Sequence, residues 1–288
     1  MSVKSMTVWK WGLLLLASLI LSLLMYILAQ TALDVIDADS PVCHAVLFIS
    51  VAILVSAAMI ALYARFVKWF EKHSARDIPL NRMAPDTLKG LGIGCAYFIV
   101  LILIMSVLGL YRIDTFGTDS SLAIVTSFFS FLMVGVGEEI IFRGVLFRWI
   151  DEKWGFAVAL IVSSLLFGLL HIFQPAATWW SSFAIAIEAG LLLGAAYKYA
   201  GTLWLPIGIH WAWNFTQGNI FGFAVSGGRA GASLIQPAVS GPDILTGGAF
   251  GAEASVITLI LGLLLSLWFI LKVKRNHLVK QSNSHEEV

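Results

Sequence analysis

Apolar residues run through this chain in long unbroken blocks rather than in the alternation of strands or the one-sided stripe of soluble helices. Eight blocks stand out: residues 11–30, 42–64, 90–110, 121–147, 155–173, 181–199, 203–221 and 254–271. A helix that crosses a bilayer needs about 20 mostly apolar residues, so each block predicts a membrane span. The first could be read as a signal peptide. Its apolar run exceeds the roughly 7–15 residues of such a core, which favours an uncleaved span. The longest polar connection, 222–253, is rich in Gly, Ala and Ser and holds Pro237 and Pro242. It is expected to be an irregular outer loop, in part re-entrant, that covers the outer face of the bundle. The polar end, 274–288, is expected to form a disordered cytoplasmic tail.

Composition agrees with this pattern. Of 288 residues, 59% are hydrophobic and only 12% charged, with a mean hydropathy of +0.89. A soluble domain of this size carries far more charge. With both termini in the cytoplasm, every one of the 18 Lys and Arg except Arg112 and Arg229 falls on the inner side. That asymmetry is the one expected of an even number of spans. The predicted fold is therefore an all-α, polytopic membrane bundle of about eight transmembrane helices, a single transmembrane domain over 1–273. The net charge of +1, with no basic patch interleaved with aromatics, gives no sign of a nucleic-acid partner. Cys43 and Cys95 lie in separate apolar blocks and read as small buried residues.

The fourth block ends on Gly137-Glu138-Glu139-Ile140-Ile141-Phe142-Arg143-Gly144. Two adjacent carboxylates inside an apolar run are costly, because hydrocarbon does not solvate them. On a helix, Glu139 and Arg143 stand one turn apart and can pair. Glu138 points about 100° away and is left without that partner. Few other polar side chains lie inside the spans. Phe167 and His171 share a face of the fifth block, and His210 and Asn214 share a face of the seventh. Singly, each has a plain structural explanation, as a packing histidine or an interhelical hydrogen-bond pair. Two acids, two histidines, an asparagine and an arginine on three helices are harder to explain as packing. A third intramembrane acid, Glu188, is read as a structural group rather than a cavity residue.

A carboxylate withdrawn from water becomes a better base, and with a histidine beside it can orient and deprotonate a water molecule. A second imidazole and a carboxamide can donate to a developing oxyanion. That equipment suits hydrolysis of an amide. Glu138, His171 and His210 would also be acceptable zinc ligands, although their spacing is not that of a tight helical metal motif. The helix ends place a demand on this set. Glu138 lies about 20 Å from the inner turn near Asp151, His171 about 30 Å from the same turn, and His210 about 14 Å from Gly201, at 1.5 Å per residue. Tilt or broken helices must absorb the difference if the side chains are to meet.

These residues resemble the CAAX prenyl endopeptidase family of intramembrane proteases, also called CPBP or Abi. Three motifs occur in order: Glu138-Glu139-x-x-Phe142-Arg143-Gly144, Phe167-x-x-x-His171 and His210-x-x-x-Asn214, with Gly201-Thr202-Leu203-Trp204-Leu205-Pro206 ahead of the third. The resemblance covers about 121–220, which would be the protease core. It implies that Glu138 and His171 activate the attacking water, that His210 and Asn214 form the oxyanion site, and that Glu139, Arg143 and Phe167 support them. It implies no cofactor, with zinc as the alternative, and a membrane-associated peptide or protein as substrate. The expected location is a bacterial plasma membrane, with a site that opens to the cytosol. Two other readings remain: a proton-coupled transporter relaying through Glu138, Glu188, His171 and His210, and a non-catalytic scaffold or immunity protein.

Overall fold

The computed structural model describes residues 40–117 and 120–286, with side chains through Asn276. The expected first span, 11–30, lies outside the described residues. Along the chain come α1 (Pro41–Glu71), α2 (Leu80–Val107), β1 (Tyr111–Phe116), α3 (Ser121–Trp154), α4 (Phe156–Phe173) and α5 (Trp179–Ala200). Then follow α6 (Trp204–Phe215, continued by a wide turn Thr216–Ile220), β2 (Ile235–Val239), α7 (Asp243–Thr246) and α8 (Val256–Glu286). Helical backbone thus continues through the polar stretch from 274 onward.

Six of these helices, α1 to α5 and α8, are long and apolar enough to cross a membrane. Their outward faces expose large apolar side chains such as Leu54, Leu103, Leu165 and Leu264, a band that only a bilayer would solvate well. The block expected as the seventh span differs in kind. α6 is short, and His210, Asn214, Gln217 and Asn219 interrupt its apolar character. It forms the buried centre of the bundle, with Leu205, Ile207, Ile209 and Ala212 all almost inaccessible.

Small residues let the other helices close on this centre, as is usual where helices meet in lipid. α2 crosses α6 through Gly90, Gly94 and Gly208. A Cβ placed on Gly208 would stand 2.3 Å from the Thr87 carbonyl oxygen, so the two backbones are nearly in contact. α4 crosses α5 at Gly168, where a Cβ would stand 2.3 Å from the Ser182 carbonyl.

The two ends of the bundle are chemically distinct. At one end, ion pairs and hydrogen bonds tie the connections together. Arg148 grips Glu71 with two donors (2.8 and 2.5 Å), Tyr63 and Tyr197 both donate to Asp77, and Lys198 pairs with Asp151. At the other end, β1 and β2 form a two-stranded antiparallel sheet, and the 222–254 segment folds over the helix ends. This segment is more ordered than its Gly-rich composition predicts. Its backbone is fastened by Gln217 to Ala224 (2.9 Å), Asn219 to Ala232 (2.6 Å) and Gly227 to Phe250 (2.8 Å). Phe223, Phe250 and Ala252 enter the common core beneath it.

Candidate functional site

Glu138 and Glu139 stand where α3 passes from α-helical to π-helical winding, the wide stretch Ile140–Phe147. Such widenings occur often at functional positions. The expected pairing holds across this change: Arg143 Nη1 donates to Glu139 Oε1 at 2.7 Å, with both side chains fully buried. Arg143 Nη2 also donates to the Gly190 carbonyl (3.2 Å), which ties α3 to α5. The guanidinium lies 4.7 Å from the centre of the Phe167 ring.

Glu139 has a second partner that helix periodicity does not reveal. His210 Nδ1 lies 2.8 Å from the same Oε1. An ionised carboxylate only accepts, so Nδ1 must carry the hydrogen. Nε2 of His210 is thereby left facing Glu138, whose Oε2 is 3.9 Å away. His171 is fixed in a comparable way. Its Nδ1 lies 2.7 Å from the Phe167 carbonyl oxygen, which only accepts, so the hydrogen again sits on Nδ1 and the Nε2 lone pair is available. Phe167 is the hub of this arrangement. Its ring centre is 4.8 Å from that of His171, 6.1 Å from His210 and 4.9 Å from Phe142.

Glu138, His171, His210 and Asn214 all line one cavity of about 670 Å³. Glu138 is the exposed acid of the pair, with a third of its side chain open to this space, whereas Glu139 has none. The expected mismatch in depth is absorbed by the helix ends. α3 continues to Trp154, so Glu138 stands 16 residues from the inner turn, close to the 15 that separate His171 from the start of α4 at Phe156. α6 starts inside the bundle instead of at its surface: Thr202, Leu203 and Trp204 are already buried. His210 therefore needs only a short climb to the same level.

Glu188 is not on this wall. It is fully buried in the wide turn Ala186–Gly190 of α5, against Gly262 of α8, and neither carboxylate oxygen has a hydrogen-bond partner. Among the described residues, no three His, Cys, Asp or Glu side chains converge as ligands of one ion.

The known-protein comparison falls on this cavity: residues 120–216 match the family described as type II CAAX prenyl endopeptidase Rce1-like. This stretch is similar to the CAAX prenyl endopeptidase (CPBP) family. The matched CPBP segment, about a third of the chain, runs from the start of α3 to α6 and contains all three motifs. No curated protein and no solved structure gives a match. The chain thus has six helices able to cross a membrane and carries, over 120–216, a segment similar to the CAAX prenyl endopeptidases.

Outside the CPBP segment, the structure adds a residue that the motifs do not contain. Glu253, at the end of the covering segment, is 2% exposed and stands beside Phe167, His171, His210 and Asn214. Its carboxylate accepts from Trp213 Nε1 (2.8 Å) and from the Ser226 backbone N–H (2.6 Å). It joins the matched segment to the 225–231 stretch, which supplies Val225, Ser226, Gly228, Arg229 and Gly231 to the cavity wall. The only hint in the sequence is a lone acid within Phe250-Gly251-Ala252-Glu253-Ala254, just ahead of an apolar block.

Proposed function

We propose that the protein is a glutamate-dependent intramembrane endopeptidase that hydrolyses a peptide bond of a membrane-associated protein or peptide. The observation that carries this reading is the gathering of Glu138, His171, His210 and Asn214, from three helices, on the wall of one cavity. Water held between Glu138 and the Nε2 lone pair of His171 gives up a proton to one of them as its oxygen attacks the carbonyl carbon. The oxyanion that forms is stabilised by the Asn214 amide and, in the doubly protonated ring, by His210 Nε2–H. Glu139 holds His210 in the orientation this requires, and Arg143 balances the charge of Glu139. Collapse of the tetrahedral species breaks the C–N bond. The proton taken from water passes to the departing amine, and the acyl part leaves as a carboxylate. No step requires a metal ion.

The test is cleavage of a peptide library by purified protein, read by mass spectrometry with and without chelator. Activity that survives chelation and falls by at least a hundredfold in Glu138→Gln supports the reading. Loss on chelation would overturn the metal-free chemistry. Unchanged cleavage by Glu138→Gln would overturn the role of the carboxylate. The transporter reading loses its relay at Glu188, which does not reach the cavity.

A further inference from the structure

Among the described residues, the exposed part of the cavity wall (Gln174, Arg229 and Gly231) lies at one end of the bundle, and that end can be oriented by charge. The wall runs from Glu138 and Met133 up to Gln174, Ser226, Arg229 and Gly231. Arg229 and Gly231 are exposed, so the mouth lies among the covering-segment residues at the end that carries the β1–β2 sheet. Ala176, in the turn after α4, donates to the Gly227 carbonyl (3.2 Å), which fixes the 225–231 stretch at this end.

Lysines and arginines crowd the opposite end. Lys72, Arg76, Arg82, Arg148, Lys153 and Lys198 sit in or beside the connections there, and the basic residues near the end of α8 add to them. Those connections are one surface: Arg82 donates to the Ala200 carbonyl (3.0 Å), Leu203 N–H to the Asp77 carbonyl (2.7 Å), and Arg148 pairs with Glu71. Among the described residues, the mouth end holds only Arg112 and Arg229. Basic connections stay on the cytoplasmic side of a membrane.

We infer that the site is served from the extracytoplasmic face, so that its substrates are polypeptide segments presented on that side of the bilayer and not cytosolic C-termini. This rests on the peptidase reading above, and it reverses the cytosolic access expected from the sequence. A peptide entering past Arg229 meets Asn214 and His210 below the 225–231 stretch. At the cytoplasmic end, among the described residues, Tyr63, Tyr197, Asp77, Arg148 and Glu71 fill the space between the connections with polar contacts.

Two cysteine variants in a Cys43→Ser, Cys95→Ser background test the inference without requiring activity. Gly231→Cys is at the mouth, where an added side chain meets nothing within 4 Å. Ser74→Cys is exposed at the basic end. A sulfonated, membrane-impermeant maleimide applied to intact cells should label Gly231→Cys at least tenfold more than Ser74→Cys, with Ser74→Cys reacting only after lysis. The reverse pattern would overturn the inference. In sealed proteoliposomes sorted by which cysteine faces outward, an impermeant quenched peptide that detergent-solubilised protein cleaves should be cut only where position 231 is outside. Cutting only where position 74 is outside would overturn it as well. A protein that labels as expected but cleaves no peptide even in detergent would fail as a peptidase while keeping its orientation.

Discussion

The carboxylate of Glu253 offers the sharpest perturbation. It is buried, and it accepts from two N–H donors, the Trp213 indole and the Ser226 amide, and at 3.4 Å from the Ser226 hydroxyl, which can turn to another acceptor. Glu253→Ala leaves both donors without a partner in a place water does not readily reach. Each stranded group costs about 1–3 kcal/mol, so the fastening of the covering segment weakens by roughly 2–6 kcal/mol. Trp213 itself should hold its place, because its ring lies 4.4 Å from that of Tyr97 and 4.9 Å from that of Phe98. The strain therefore falls on the 222–253 segment. At the lower bound, its opening becomes roughly 30-fold more frequent. Limited proteolysis in nanodiscs should cut within 222–253 faster by that factor, and KM should rise more than kcat falls. Glu253→Gln keeps one acceptor oxygen but sets an amide N–H against a donor, and should recover about half of the loss. Wild-type protection of the segment in Glu253→Ala, with kcat/KM within twofold, would refute the reasoning.

Three further outcomes follow from the packing and the cavity wall. Gly208→Ala should cost about 1–3 kcal/mol by forcing α2 from α6, whereas Gly92→Ala, which meets nothing within 4 Å, should be neutral or slightly stabilising; thermal melts in detergent distinguish them. Glu188→Gln should keep full peptidase activity and lose no thermal stability, since neither carboxylate oxygen has a partner to lose; a large drop in kcat would assign Glu188 a catalytic part. Arg229 is the only permanently cationic side chain on the cavity wall among the described residues. Arg229→Gln should raise KM for peptides with an acidic residue near the cleavage site by about three- to tenfold, an effect that shrinks at high salt, and leave neutral peptides unchanged.

Much of this arrangement is legible in the sequence because the bilayer imposes a simple rule. Long apolar blocks become helices, and any acid kept inside one must be held by something. The Glu139–Arg143 pair follows from helix periodicity alone, and the 3.6-residue repeat likewise puts His210 and Asn214 on one face. Periodicity does not reach across helices. It left open that Glu139 holds His210, and it could not place Glu253, which reaches the site through a segment with no periodic pattern. The β1–β2 sheet escaped for a related reason: Tyr111–Phe116 and Ile235–Val239 are short, and each is a strand only because the other is beside it. The central, protein-enclosed place of α6 was not legible, because residues buried by protein and residues buried by lipid are equally apolar.

The wide turn in α3 carries a consequence for how this helix can change over evolutionary time. A π-helical stretch is a helix with a surplus residue, so the segments on either side of Ile140–Phe147 are out of step by about 100° relative to an unbroken α-helix. Deleting one residue there, with no change to any motif side chain, would bring the two segments back into phase. The acid pair and the arginine would then be turned toward different neighbours. The winding of this stretch thus depends on its length as well as its composition. Insertions and deletions in this stretch should be tolerated far less than substitutions.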